Sequence, residues 1–123
     1  MKFAEDHNNS KYKITGYESD AVEINGISQK QAFILSPMEF VNDWQPQDLS
    51  VLKVEHFEAF YELKPEVIIL GTGSKQIFPD REILKHLVQS RIGYEIMDTQ
   101  AACRTFNIIM AEGRNVVAGM FIK

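Results

Sequence analysis

The sequence predicts an α/β domain. Three observations carry that expectation: the second half alternates strand, helix, strand, helix and strand patterns; the first third consists of short β-branched and aromatic stretches broken by turn residues; and the composition is that of an ordinary globular chain. With 123 residues, 45% of them hydrophobic and 24% charged, the chain can bury one core without a staple, and residues 1–123 read as one domain.

In the first half, 12–15 reads as a strand, and 21–24 and 31–35 read as the arms of a hairpin around Asn25-Gly26, the dipeptide that best tolerates positive φ at both central positions of a tight turn. The stretch 27–30 extends the second arm. Ser36-Pro37 closes the β-run, because proline gives no amide hydrogen to a ladder. From Pro37 to Pro46 the chain reads as irregular, with Trp44 covering the edge of the core while its N–H finds an acceptor. Val54, Phe57, Phe60 and Tyr61 recur at helical spacing, so 54–63 is predicted as an amphipathic helix closed by Lys64-Pro65.

The second half is cleaner. Residues 66–70 form a continuous apolar run, the pattern of a strand buried on both faces, and they lead into Gly71-Thr72-Gly73. Pro79-Asp80 starts a helix over about 80–91, with Ile83, Leu84, Leu87 and Val88 as its apolar face and Gly93 as its stop. A strand follows at 94–97. Asp98-Thr99 then caps a helix running to about Glu112, Gly113 marks its exit, and 115–122 is the last strand, whose direction the pattern leaves open. The alternation implies parallel neighbours with right-handed crossovers.

Composition also narrows the function classes. Thirteen Lys and Arg against 17 Asp and Glu leave a formal charge of -4, which argues against a nucleic-acid surface. The single cysteine, Cys103, rules out an intrachain disulfide. The opening residues, with Glu5 and Asp6 and no apolar core, do not read as a leader, and no apolar run approaches the roughly 18 residues of a membrane span. A cytoplasmic protein without membrane insertion is expected. His7, His56, His86 and Cys103 show no metal-ligand spacing, so neither a metal nor another cofactor is expected.

One region invites a ligand. Gly71-Thr72-Gly73 lies just past the carboxyl end of a buried strand, where open α/β sheets gather ligands. The dinucleotide pattern is incomplete: Gln76 stands where the third glycine belongs, although Asp98 falls near the place of a ribose-binding acid. The phosphate-loop pattern fails at Ser74, which stands where glycine is needed. On the helix after Asp98, Ala101, Ala102, Phe106, Ile108, Ile109 and Met110 are expected to fill one apolar arc, with Gln100, Arg104, Asn107 and Ala111 opposite and Thr99 and Cys103 on the border. If that helix start faces the glycine loop, its free amides, the Thr99 hydroxyl and Arg104 could hold a small anion or carboxylate. Cys103 near a positive helix end could be an activated nucleophile, but no histidine spacing supplies its base, and burial is the simpler expectation.

The runs 66–73, 93–107 and 112–118, together with the β-rich start, the Ser36-Pro37 break and Trp44, resemble the small Mth-type domain family of unknown function, which includes a mitochondrial respiratory complex I assembly factor and an adipogenesis-associated protein. The resemblance implies one α/β domain with a mixed central sheet, an added N-terminal β-hairpin layer and helices packed on the sheet. It implies no reaction; the role best defined in that family is assisting respiratory-complex assembly through protein contacts. Residues matching its pattern, Gly71, Thr72, Gly73, Thr99, Cys103, Arg104 and Asn107, then mark a binding pocket rather than an active site. The expected function is a non-catalytic interaction or assembly module with a protein partner and a small anion, a homo-oligomer being left open. The alternative is a small enzyme or nucleotide-binding protein using Gly71-Thr72-Gly73 with Arg104 and Cys103.

Overall fold

The computed structural model describes residues 10–122. The opening residues on which the absence of a leader was read, 1–9, lie outside the described residues, as does Lys123.

The described residues form two sheets. β1 (Ile14–Glu18), β2 (Ala21–Ile24) and β3 (Ile27–Gln29) make an antiparallel sheet in that order. The turn between β2 and β3 is the one Asn25-Gly26 predicts: φ is 51° at Asn25 and 83° at Gly26. The second arm is shorter than expected, because 33–35 does not belong to this hairpin. Instead β4 (Phe33–Leu35) joins a second sheet, pairing antiparallel with β5 (Phe40–Val41). Ser36-Pro37 therefore reverses the β-run rather than ending it: Ser36 N–H donates to the Glu39 carbonyl at 2.8 Å and Ser36 Oγ accepts from Glu39 N–H at 3.0 Å.

The predicted helix over 54–63 is instead a 3-10 turn, Val54–Phe57, followed by one α-helical turn, α1 (Glu58–Tyr61), and a further 3-10 turn, Leu49–Val51, precedes it. Apolar residues three apart fit a three-residue turn as well as a 3.6-residue one, and here the tighter winding brings Phe57 and Phe60 both into the core. The rest follows the sequence closely: β6 (Val67–Thr72), α2 (Arg81–Gln89), β7 (Gly93–Met97), α3 (Thr99–Ala111) and β8 (Val116–Phe121). Asp80 and Asp98 cap α2 and α3, their carboxylates accepting from Ile83 N–H at 3.2 Å and Ala101 N–H at 2.9 Å.

The second sheet has the order β5-β4-β8-β6-β7. β6 is parallel to both β7 and β8, while β4 is antiparallel to β8, so the sheet is mixed. Alternation along β6 divides the core. Val67 and Ile69 face a layer made of α3, β1 and β2, where Ala102, Cys103, Phe106, Ile14, Val22 and Ile24 pack. Ile68 and Leu70 face α1, α2 and Trp44, with Phe57, Phe60, Ile83 and Leu87. The three-stranded sheet is thus the added layer on the α3 side.

Trp44 has the structural role its surroundings predict. Its ring meets Phe60 edge-on at 5.5 Å and lies against Phe121 at 5.2 Å, and its N–H donates to the His56 carbonyl at 3.2 Å. The ring approaches β8 at Gly119. A Cβ there would lie 2.5 Å from Phe60 Cζ and 2.9 Å from Trp44 Cη2, so glycine is what admits the aromatic layer.

Candidate functional site

The residues singled out from the sequence fall into two neighbouring places with different chemistry. Gly71, Thr72, Gly73 and Thr99 form a buried clasp between the end of β6, the start of α3 and the end of β8. Thr99 is fully buried; its hydroxyl donates to the Phe121 carbonyl at 2.5 Å and accepts from Gly73 N–H at 2.8 Å. The Gly73 carbonyl in turn accepts from Thr99 N–H at 2.8 Å. Gly71 lets the helix sit this close: a Cβ on it would lie 2.8 Å from Met120 Sδ and 3.0 Å from Thr99 Oγ1.

Thr72, also buried, holds the following loop. Its hydroxyl donates to the Lys75 carbonyl at 2.5 Å and accepts from Ile77 N–H at 3.1 Å, while Gln76 Nε2 donates to the Ile96 carbonyl at 2.9 Å. The loop and helix start therefore bond to one another instead of presenting amides to a ligand. Asp98 places a carboxylate at the helix end where an anion would sit. Its bond to Ala101 N–H is a cap, the local use of the residue that the nucleotide reading assigns to a ribose.

Cys103, Arg104 and Asn107 lie further along α3 and line a groove of about 370 Å³ with Gln100 and with Ile14, Thr15, Gly16 and Tyr17 of β1. The helix supplies one wall and the strand the other. Asn107 joins them: its Oδ1 accepts from Ile14 N–H at 3.1 Å and its Nδ2 donates to the Ile14 carbonyl at 2.7 Å. The β1 residues were not singled out from the sequence, since nothing in the residues places the first sheet over α3. Gln100 stood one turn before Arg104 on the same face, and that spacing was the available signal.

The helix face differs from expectation at one position. Ile108 is 61% exposed rather than part of the apolar arc. At about 100° per residue it lies roughly opposite Thr99, on the outward side with Gln100 and Arg104.

Cys103 is buried, and burial pushes its thiol up to about 12; nearby Arg104 opposes the shift and Asp98 adds to it. At neutral pH the sulfur is a neutral thiol in the apolar core, poorly suited to nucleophilic attack. Among the described residues no histidine lines the groove. His86 bonds through Nε2 to the Tyr61 hydroxyl at 2.8 Å, and His56 Nδ1 accepts from Lys53 N–H at 2.9 Å. Burial also raises the phenol of Tyr17, with Cys103 and Asp98 adding to the effect, so its hydroxyl stays protonated and can donate. Arg104 is exposed and, among the described residues, is the one charged residue of the lining. What the groove offers is recognition chemistry: a guanidinium, an amide, hydroxyls and an apolar floor.

Among the described residues no group of three or more His, Cys, Asp or Glu is placed to hold a metal, and no helix is long and apolar enough to cross a membrane.

Known proteins resemble the chain over most of its length. The NADH dehydrogenase [ubiquinone] 1 alpha subcomplex assembly factor 3 of Rattus norvegicus is 34% identical over 103 residues, covering 82% of this chain and 55% of that protein. A "13 kDa major membrane protein" of Francisella tularensis is 33% identical over 69 residues, 56% of each chain. The chain spans about half the length of the curated relatives it matches. A Bordetella pertussis protein described as a Mth938-like domain has the same fold, with a TM-score of 0.75, 28% identity and coverage of 89% of this chain and 85% of that one. Residues 14–121 match the model of the family "Protein of unknown function (DUF498/DUF598)". With nearly the whole described chain inside that match and a Mth-type fold around it, the chain belongs to the DUF498/DUF598 family, the Mth-type family that its sequence resembles.

Proposed function

We propose that the chain is a non-catalytic interaction module that assists assembly of a respiratory complex, a reading supported by its likeness to NADH dehydrogenase [ubiquinone] 1 alpha subcomplex assembly factor 3. The observation that carries this reading is the groove between β1 and α3, which combines an exposed Arg104 with a buried, protonated Cys103 and, among the described residues, no histidine. Such a lining can bind but has no activated group to react. The small anion expected from the sequence belongs here, at Arg104, since the amides of Gly73 and Thr99 are taken by the clasp. We place the module in the cytoplasm as one domain over 1–123, working on its partner by contact.

The test is affinity isolation of the tagged chain from its native cell after mild crosslinking, with co-purifying proteins identified by mass spectrometry. Subunits of a respiratory complex, enriched well above a mock isolation, are the expected result. Their absence, with the chain recovered intact, removes the assembly reading. Fractionation of the same cells tests the cytoplasmic placement: recovery with the membranes after a high-salt wash would contradict it.

A further inference from the structure

β1 is an outer strand of its sheet: among the described residues it pairs with β2 on one side and with no strand on the other. At its first residue that free edge is already engaged as if a strand lay beside it. A primary amide carries the same donor and acceptor as a peptide unit, and the Asn107 side chain makes both bonds to Ile14, at 3.1 and 2.7 Å. Asn107 thus takes one rung of a ladder. A bulge between Ile14 and Gly16 shifts the register just past that rung, and beyond it antiparallel geometry turns the N–H and C=O of alternate residues to the outward side. There Thr15, Gly16 and Tyr17 line the groove, and among the described residues no side chain bonds to the backbone of Gly16, Tyr17 or Glu18. An unpaired edge of this kind is a template for an added strand: main-chain bonds give affinity, and side chains along the groove give selectivity.

The facing wall sets that selectivity. Cys103, a neutral thiol, and Ile14 form an apolar floor, and Gln100 and Arg104 stand on the helix above it. Among the described residues the lining carries one cation and no carboxylate of its own, and the Glu23 carboxylate beside it is taken up by the Thr15 hydroxyl at 2.7 Å. The complement of that charge is a carboxylate, and the complement of the strand edge is an extended backbone. A volume of about 370 Å³ suits a short segment rather than a folded surface.

We infer that the groove between β1 and α3 receives an extended acidic segment of a partner protein, which adds a strand to β1 beyond the Asn107 rung and sets its carboxylate on Arg104. The inference rests on the interaction-module reading and names the surface and partner chemistry for it. It assigns Asn107 to holding the groove open at one end and Arg104 to choosing what enters.

The experiment is selection of short random peptides displayed on phage against the immobilised chain, followed by titration of the strongest binder. Expected binders lack proline and carry Asp or Glu at one fixed position among β-formers. Arg104→Gln weakens the selected peptide about tenfold, the size of a lost charged hydrogen bond. Changing the peptide's acid to its amide causes the same loss in the unsubstituted chain and no further loss in the R104Q chain. Methylating alternate backbone nitrogens of the peptide abolishes binding, and bound peptide slows amide exchange in Gly16, Tyr17 or Glu18. Selection without an acidic position, indifference to Arg104→Gln, or tolerance of backbone methylation overturns the inference. So does free glutarate competing as well as the peptide, which would make the groove a small-anion site. The two readings fail separately: respiratory subunits captured undiminished by Arg104→Gln remove this inference alone, whereas groove-binding peptides in a chain that captures no such subunit remove the assembly reading alone.

Discussion

Replacing Thr99 by valine exchanges one buried hydroxyl for a methyl group and changes the volume little. The hydroxyl joins two backbone groups, accepting from Gly73 N–H at 2.8 Å and donating to the Phe121 carbonyl at 2.5 Å, in a side chain with no solvent exposure. Neither partner can turn to water. Leaving a buried backbone group unpaired costs about 1–3 kcal/mol, so the pair costs roughly 2–6 kcal/mol. The added methyl offsets about 1 kcal/mol of this by its own burial. The net expectation is a loss of about 1–5 kcal/mol, a large share of the ~5–15 kcal/mol that holds a typical domain together. For a chain of this length that lowers Tm by roughly 4–20 °C. Urea denaturation followed by circular dichroism checks the value, and an unchanged m keeps the comparison within two-state terms. Thr99→Ser, which keeps the oxygen and loses the methyl, serves as the control and should be more stable than Thr99→Val. A valine variant within about 0.5 kcal/mol of the parent, or above the serine variant, refutes the clasp and returns Thr99 to the list of groups free to bind a ligand.

Asn107→Leu removes both bonds to Ile14 and should cost about 2–4 kcal/mol, with faster amide exchange at Ile14 as the local reporter. Asn107→Asp, which keeps the acceptor and loses the donor, should fall between. Gly119→Ala forces a carbon against Phe60 and Trp44 and should cost about 1–3 kcal/mol, read by urea titration and by a changed near-ultraviolet signal from Trp44. Cys103 should resist iodoacetamide at pH 8 in the folded chain and react readily in urea, because burial moves the thiol from the ordinary 9.0 up to about 12 and cuts the thiolate fraction about a thousandfold. The same shift has a sign in stability: below about pH 9 the thiol is neutral folded or unfolded, and as pH rises from 9 toward 12 only the unfolded thiol ionises, so this residue makes the fold less stable over that window. Cys103→Ala should flatten that part of the pH–stability curve.

Legibility in the sequence followed the range of the forces involved. The caps at Asp80 and Asp98, the Asn25-Gly26 turn and the doubly buried β6 are local signals, and each formed where the residues point. β4 was not legible as a member of the second sheet, because its partner, β8, begins some eighty residues later and three consecutive buried residues carry no period. The spacing of Val54, Phe57 and Phe60 could not separate a 3-10 turn from an α-helix. Ile108 failed differently: its outward place was available from helix geometry, and its apolar character pointed the wrong way. The mixed sheet and its added layer came from resemblance to a family rather than from periodicity. For the site, Cys103, Arg104 and Asn107 line one groove apart from Gly71, Thr72, Gly73 and Thr99, and the groove's second wall depends on where β1 docks, a long-range fact with no local mark.

Gly71-Thr72-Gly73 shows why motif and site parted. A glycine after a buried strand reports only that some backbone or side chain comes close, and here what comes close is α3 itself. Once Thr99 N–H is taken by the Gly73 carbonyl and Ala101 N–H by the Asp98 carboxylate, the positive end of that helix is already neutralised from within. An added anion there would meet Asp98 instead of open donors. Arg104 lies five residues on, about 7–8 Å along the axis, beyond the first turn in which the helix end exerts its pull. Any attraction of the groove for a carboxylate must therefore come from the guanidinium alone. That is why the single change Arg104→Gln separates recognition from folding: it alters the one exposed charge of the lining and leaves the clasp, the caps and the Asn107 rung intact.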